Sequence, residues 1–297
     1  FIDIAKKIEG KNIEFTLFEE NTIKILSERS NFTLIALEKN NFPQINFAPL
    51  GTPIVLKASV LKQIIRQTAF AAGSSESRIT LTGVCLELAE NRLKAIATDS
   101  YRLAKKETEL DYNLENTRVN VPSKALEELN KILTDDTEDV KMYIMVNKIL
   151  FIYKNISFVT RLIEGSYPNT NALFPNESLM AITFDKNSLI AAVDRAALFT
   201  NLDNSSIVKF MVTADKVIQI ASNSNEIGKV VDEILPLKNV ELMQFQIAFS
   251  AKYFLEALKA FDSNAITIKF TGETKSFTLE GDQDRAFIQL ILPVRVY

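Results

Sequence analysis

Polar and apolar residues alternate through Arg92-Leu93-Lys94-Ala95-Ile96-Ala97, the period of a strand with one buried face. The alternation stops at Asp99-Ser100, a pair with turn chemistry, and a second apolar piece begins at Leu103-Ala104. The pattern predicts a turn at a sheet end that presents Tyr101 and Arg102. A large rigid ring and a planar donor fork are the side chains that anchor partner peptides. A hairpin whose Tyr and Arg merely cover the sheet end fits the same residues.

Taken in order, residues 1–8 carry an amphipathic helical pattern that Gly10 is expected to close. Strands are predicted over 13–18, 22–27 and 32–37, with Glu19-Glu20-Asn21 and Arg29-Ser30-Asn31 as turns. Proline-bearing stretches at 41–43 and 49–53 read as a linker. A helix over 58–70 places Leu61, Ile64, Ile65 and Thr68 on one face and Lys62 with Arg66 on another. Strands over 78–88, 93–98 and from 102 towards 110 follow, and Val121-Pro122-Ser123 is expected to cap a helix over 124–133. Strands at 140–146, 149–154 and 156–162 lead to a turn at 164–168 and a linker near 174–176. Helices over 188–199 and 251–261 are then predicted, with strands across 208–235 and at 265–271, 277–281 and 285–296.

This second half restates the first. Residues 56–61 align with 184–189 and residues 121–124 with 249–252, both at a shift of 128. Residues 1–5 likewise match 125–129, and 32–37 match 158–163. A period seen repeatedly predicts three copies of one α+β lobe, each with two helices backed by antiparallel sheets. By that register, and with Phe1 where an initiator Met would stand, the first lobe is expected to be incomplete by roughly seventy residues at its start.

Composition narrows the chemistry. The chain has no His, no Trp and one Cys, so the commonest general base is missing and only one thiol is present. Gly is 8 of 297, and no glycine-rich phosphate loop occurs. Binding is favoured over catalysis, and no metal or cofactor is expected. No apolar run approaches the roughly 20 residues that span a bilayer, so no membrane partner is expected. One cysteine forms no internal disulfide, and a cytoplasmic location fits. The net charge of −3 is unevenly spread: the five helical segments hold eleven Lys/Arg against six Asp/Glu, or +5, leaving −8 elsewhere. Such a division would draw a polyanion to the helices.

Four motifs occur in order along the chain: residues 98–104 (TDSYRLA), 121–124 (VPSK), 161–168 (RLIEGSYP) and 290–296 (LILPVRV). On these the chain resembles the bacterial sliding clamp family, the beta subunits of the DNA polymerase III holoenzyme. The resemblance runs from Phe1 to the C-terminus. It implies the end of a first clamp domain over 1–50, a second over 54–173 and a third over 179–297, arranged as a half-ring. Two full-length chains would close head to tail as a homodimer around duplex DNA, held without sequence specificity. The clamp would tether the replicative polymerase, the clamp loader and repair proteins through their short linear motifs.

The resemblance also implies residues. The peptide groove would be lined by Leu81, Thr98, Ser100, Tyr101, Arg102, Leu103, Pro168, Leu173, Tyr253, Leu290, Leu292, Pro293, Val294, Arg295 and Val296. DNA-contacting positions would be Ser75, Arg78 and Lys124, with Lys6, Lys62 and Arg66 added from charge placement. Ala172 stands where many relatives carry a basic side chain, Ser250 where an amide is frequent, and Tyr297 extends past the usual apolar terminus. Ser75 and Thr80 replace larger polar or aromatic groups. Two rivals remain: a β-rich interaction scaffold that does not encircle DNA, and an enzyme. For the enzyme, Cys85 reads as a small buried hydrophobe, Asp99 as a turn cap and the acidic run 135–139 as a solvated loop.

Overall fold

The computed structural model describes residues 1–297 apart from 19–20, 44, 201–205, 225–227, 239 and 296–297. It divides into two units, Phe1–Ala48 and Pro49–Tyr297. In the first, helix α1 (Ile2–Lys7) precedes a meander of β1 (Glu14–Phe18), β2 (Thr22–Leu26) and β3 (Asn31–Ile35). Gly10 does not close α1; the helix already ends at Ile8, whose backbone is extended. The Glu19-Glu20 part of the first turn lies outside the described residues. Ile25 is fully buried here, whereas Phe15, Leu17, Phe18 and Ile35 face outward.

The larger unit begins with β4 (Ile54–Lys57), α2 (Ala58–Thr68), β5 (Gly83–Thr98), β6 (Arg102–Pro122) and α3 (Ser123–Ile132). Strands β7 (Asp139–Ile144), β8 (Lys148–Tyr153) and β9 (Ile156–Arg161) complete this half. The second half runs β10 (Met180–Asp185), α4 (Lys186–Ala197), β11 (Ile207–Val212), β12 (Ile218–Ser224) and β13 (Gly228–Glu233). It ends with β14 (Phe245–Ser250), α5 (Ala251–Lys259), β15 (Ala265–Phe270), β16 (Phe277–Gly281) and β17 (Phe287–Ile291).

The repeat is visible at the strand-to-helix joints. Helices α2 and α4 start at 58 and 186, and α3 and α5 at 123 and 251, each pair 128 apart. Sheet order repeats as well, β4-β7-β8-β9 against β10-β15-β16-β17. Within each half the two helices pack on one another, α2 on α3 and α4 on α5. The α+β architecture expected from the pattern is therefore present.

Several boundaries differ from the sequence reading. Residues 76–82 form a 3-10 segment, and β5 begins only at Gly83. There a Cβ would lie 2.8 Å from the Val121 carbonyl oxygen, so glycine permits the close approach. The strands expected at 78–88 and 93–98 are one element whose register shifts on either side of Glu90. Strand β6 continues to Pro122 because its far end pairs back onto β5, Val121 opposite Val84. The last strand stops at Ile291 instead of reaching 296. Ser123 does not cap α3; its hydroxyl donates to the Thr82 carbonyl at 2.8 Å. Caps do occur at the repeat partners, where Asp185 accepts from Ser188 N at 2.8 Å and Ser250 from Tyr253 N at 3.4 Å.

Pairing between the halves is what sequence periodicity does not reveal. Strand β17 pairs with β16 on one side and with β6 on the other, making a six-stranded sheet β10-β15-β16-β17-β6-β5. Beneath it, Phe210, Phe245, Phe249, Phe254, Phe270 and Phe277 form a chain of ring contacts, centroids 4.5 to 6.1 Å apart. A polar knot ties the same seam. The buried Asp284 carboxylate accepts from Gln67 Nε2 at 2.7 Å, Asp262 N at 3.1 Å, Ser263 N at 2.8 Å and the Ser263 hydroxyl at 2.5 Å. Lys106, also buried, donates to the Arg285 carbonyl at 2.8 Å, and burial pulls its ammonium below the usual lysine range.

Asp284→Ala should cost about 3–5 kcal/mol, because it strands several buried donors at once. Asp282→Ala, at an exposed neighbour, should cost under about 0.5 kcal/mol. Urea midpoints of the two variants measure the difference, and equal midpoints would contradict the knot's role.

Candidate functional site

The β5–β6 hairpin ends in the turn predicted from sequence, and its geometry is set by Asp99. Asp99 Oδ1 accepts from Tyr101 N at 2.9 Å and Arg102 N at 3.0 Å. Ser100 sits in the left-handed region at φ 82, where its N–H donates to Thr98 Oγ1 and its hydroxyl accepts from Arg78 Nη1 at 2.7 Å. The Thr98 hydroxyl donates to the Arg102 carbonyl at 2.6 Å. Asp99 is thus a turn cap; the Thr98 hydroxyl is engaged within the turn, and that of Ser100 by Arg78 from the segment before β5.

This arrangement points Tyr101 and Arg102 in different directions. Tyr101 is 58% exposed and stacks on Tyr253 of α5, with centroids 6.3 Å apart. Arg102 is only 8% exposed. Its guanidinium donates to Asp99 Oδ2 at 3.1 Å, to the Phe70 carbonyl at 2.7 Å and to Glu256 on α5. It also lies over the rings of Tyr253 at 4.5 Å and Phe70 at 5.2 Å. The fork that the pattern offered as a surface anchor instead braces the tyrosine pair from beneath. Burial raises the Tyr253 phenol pKa, and the nearby Asp99 charge adds to the effect.

Next to the turn lies a small apolar cluster apart from the main core: Leu81, Cys85, Ile96, Leu103, Tyr167 and Leu290, with Phe174 packed against it. Register assembles it, since β17 sets Leu290 opposite Leu103. The Tyr167 hydroxyl accepts from Thr98 N at 2.9 Å, fixing the loop that carries Pro168 and Leu173. Arg118 holds the same loop through the Tyr167 and Pro168 carbonyls at 3.1 and 3.3 Å. Burial pushes both the Tyr167 phenol and the Cys85 thiol up, so the only cysteine stays protonated and inert near neutral pH. On the other side the chain end runs alongside the turn: Leu292 N donates to the Tyr101 carbonyl at 2.9 Å, and Val294 N to the Ala248 carbonyl at 2.8 Å.

The candidate groove residues therefore converge. Leu81, Leu103 and Leu290 form a floor, while Tyr101, Pro168, Leu173, Leu292 and Arg295 are exposed around it. Tyr253, Pro293 and Val294 are half-buried, and Val296 lies outside the described residues, as does Tyr297. Two hollows lie in this region, and the tyrosines line the first of them. One of about 390 Å3 is lined by Ser75, Arg78, Leu81, Tyr101, Lys252 and Tyr253 among others. The other, of about 790 Å3, lies beside Pro293, Val294, Arg295 and the edge of β14. Ser75 and Arg78 thus share a hollow with groove residues, which sequence reasoning did not anticipate. Lys62 and Arg66 lie on α2 and Lys124 at the start of α3, while Lys6 belongs to the first unit. Sequence reading missed Lys252, although the 128-residue shift maps Lys124 onto it. It also missed Glu256 and Phe70, for which no local signal exists. Among the described residues no cluster of His, Cys, Asp or Glu could hold a metal ion, and no helix is long and apolar enough to cross a membrane.

Comparison with known proteins matches this architecture. A profile described as DNA polymerase III beta subunit, central domain, matches residues 55–169, and one described as its C-terminal domain matches 171–295. The beta sliding clamp of Staphylococcus aureus is 38% identical over 297 residues, all of this chain and 78% of that protein. The DNA polymerase III beta chain of Streptococcus pneumoniae superposes with a TM-score of 0.90 at 37% identity, covering 99% of this chain and 78% of that one. The DNA polymerase sliding clamp of Bacillus subtilis gives 0.89 at 36% identity, with the same two shares. Lobes repeated at their strand-to-helix joints, an apolar cluster under two stacked tyrosines and this likeness along the chain lead to one conclusion: the chain belongs to the DNA polymerase III beta subunit, or beta sliding clamp, family.

Proposed function

We propose that this chain works in DNA replication as a non-catalytic clamp, paired with a second copy around duplex DNA. It slides without sequence preference and carries the polymerase, the clamp loader and repair proteins on one shared groove. The observation that carries the groove is the meeting of Tyr101, Tyr253 and Leu292 above the Leu81–Leu103–Leu290 floor. An apolar floor with exposed aromatic walls accepts the aliphatic or aromatic anchors of a short peptide. Leu173 and Leu292, both exposed, flank that floor.

For DNA, the matched positions Ser75, Arg78 and Lys124 offer hydroxyl and cationic contacts to phosphates. The helix excess of +5 supplies attraction without base readout. Weak phosphate contact suits a protein that moves along its substrate. The domain divisions 1–50, 54–173 and 179–297 describe the units that would line up around the duplex.

The decisive measurement is fluorescence anisotropy with a labelled peptide copied from the polymerase subunit's clamp-binding segment. Tyr101→Ala should weaken binding at least about tenfold, the loss of one central aromatic anchor, and shift stability by less than about 1 kcal/mol. Arg102→Ala should instead cost about 1–3 kcal/mol of stability, since it removes a buried guanidinium from the Phe70 carbonyl and from the half-buried Asp99 and Glu256. Unchanged affinity in Tyr101→Ala would reject the groove. Protein loaded on nicked circular DNA should be lost once the circle is cut to a linear form. Retention on open-ended DNA would favour a scaffold that does not encircle it.

A further inference from the structure

Six of the cations on α2, α3 and α5 fall into two classes. Lys62 and Arg66 on α2 line a cavity of about 410 Å3 together with two aspartates, Asp136 from the loop after α3 and Asp262 from the segment after α5. Lys62 Nζ lies 2.8 Å from Asp136 Oδ1. Arg66 Nη2 lies 2.5 Å from Asp262 Oδ2, and its Nη1 donates to the Ala260 carbonyl at 2.9 Å. Gln63 Nε2 adds a bond to the same Asp262 oxygen at 3.2 Å.

The second class follows the repeat. Lys124 and Lys252 are each the second residue of their helix, 128 apart, and Lys131 and Lys259 stand seven residues further on, two turns down the same face. All four are exposed. Among the described residues Lys124, Lys252 and Lys259 enter no ion pair, and Lys131 meets only the exposed Glu128 on its own helix. A lysine in the first turn opposes the helix dipole, so helix stability does not account for its presence at both copies. An external anion does.

We propose that Asp136 and Asp262 hold Lys62 and Arg66 off the DNA phosphates, leaving the repeat-related lysines Lys124, Lys131, Lys252 and Lys259 to make the contacts. This rests on the reading that duplex DNA runs along the helices. The pairs are too solvent-exposed to matter much for folding. Their effect falls on a polyanion: a carboxylate within 3 Å cancels most of the cation's field at larger distance, and a phosphate approaching Lys62 or Arg66 must displace it. The internal counter-charges thereby set how weakly DNA is held, and so how readily the clamp moves.

The test is a salt titration of binding to a short linear duplex, from about 50 to 200 mM salt, where each phosphate contact contributes a slope of about 0.9 in log K against log salt. Asp136→Asn combined with Asp262→Asn should steepen the slope by about 1–2 and tighten binding several-fold at the low-salt end. Adding Lys62→Gln and Arg66→Gln should abolish that gain. In the otherwise unaltered protein, Lys124→Gln with Lys252→Gln should weaken binding more than Lys62→Gln with Arg66→Gln. A double asparagine variant with the slope of the parent would overturn the proposal, as would equal losses in the two glutamine pairs. Retention on nicked circles is read separately on the parent protein: its failure rejects encirclement, while the slopes decide the role of the aspartates.

Discussion

The antiparallel pairing of β17 with β6 is the constraint on which the rest of this structure depends. It joins two halves of the chain into one sheet, and it does so in a register that sets Leu290 opposite Leu103 and Ile291 opposite Arg102. A slip of one residue would turn every side chain of β17 to the other face. Leu290 would leave the apolar cluster, and the Leu292 N–H would lose the Tyr101 carbonyl. The Asp284 knot and the Lys106 bond to Arg285 sit at the start of the same strand and fix that register with directional polar contacts.

Arg102 shows how a charge is used at such a seam. A guanidinium removed from water is tolerated only where its donors are met. Here an acidic turn residue, a main-chain carbonyl and a helix glutamate meet them, and two rings close over its faces. The three partners come from three separate elements, so the hairpin tip is located relative to α5 whether or not a ligand is bound. Tyr101 and Tyr253 are thereby held side by side in advance, which spares a ligand the entropy of ordering them.

How much of this the sequence disclosed depends on the range of each interaction. The repeat was legible because a strand switching to a helix leaves a local change of period, and the switch recurs 128 residues later at both joints. The turn at Asp99 was legible for the same reason. The burial of Arg102 was not, because its Glu256 partner lies 154 positions away and no pattern near either residue announces the other. Boundaries failed where tertiary pairing overrode local signals, as when β6 ran on to Pro122 against β5. The groove could be named only through resemblance to a family: its leucines, taken singly, look like ordinary core.

The inert thiol beneath the groove has a practical consequence. Cys85 is completely enclosed, hydrogen-bonded by Arg118 at 3.4 Å and protonated at working pH. Maleimide reagents need an accessible thiolate and will pass it by. A cysteine introduced at the rim, for example in place of Leu173, would therefore accept a fluorophore or spin label at a single address in this chain, without first removing the native one.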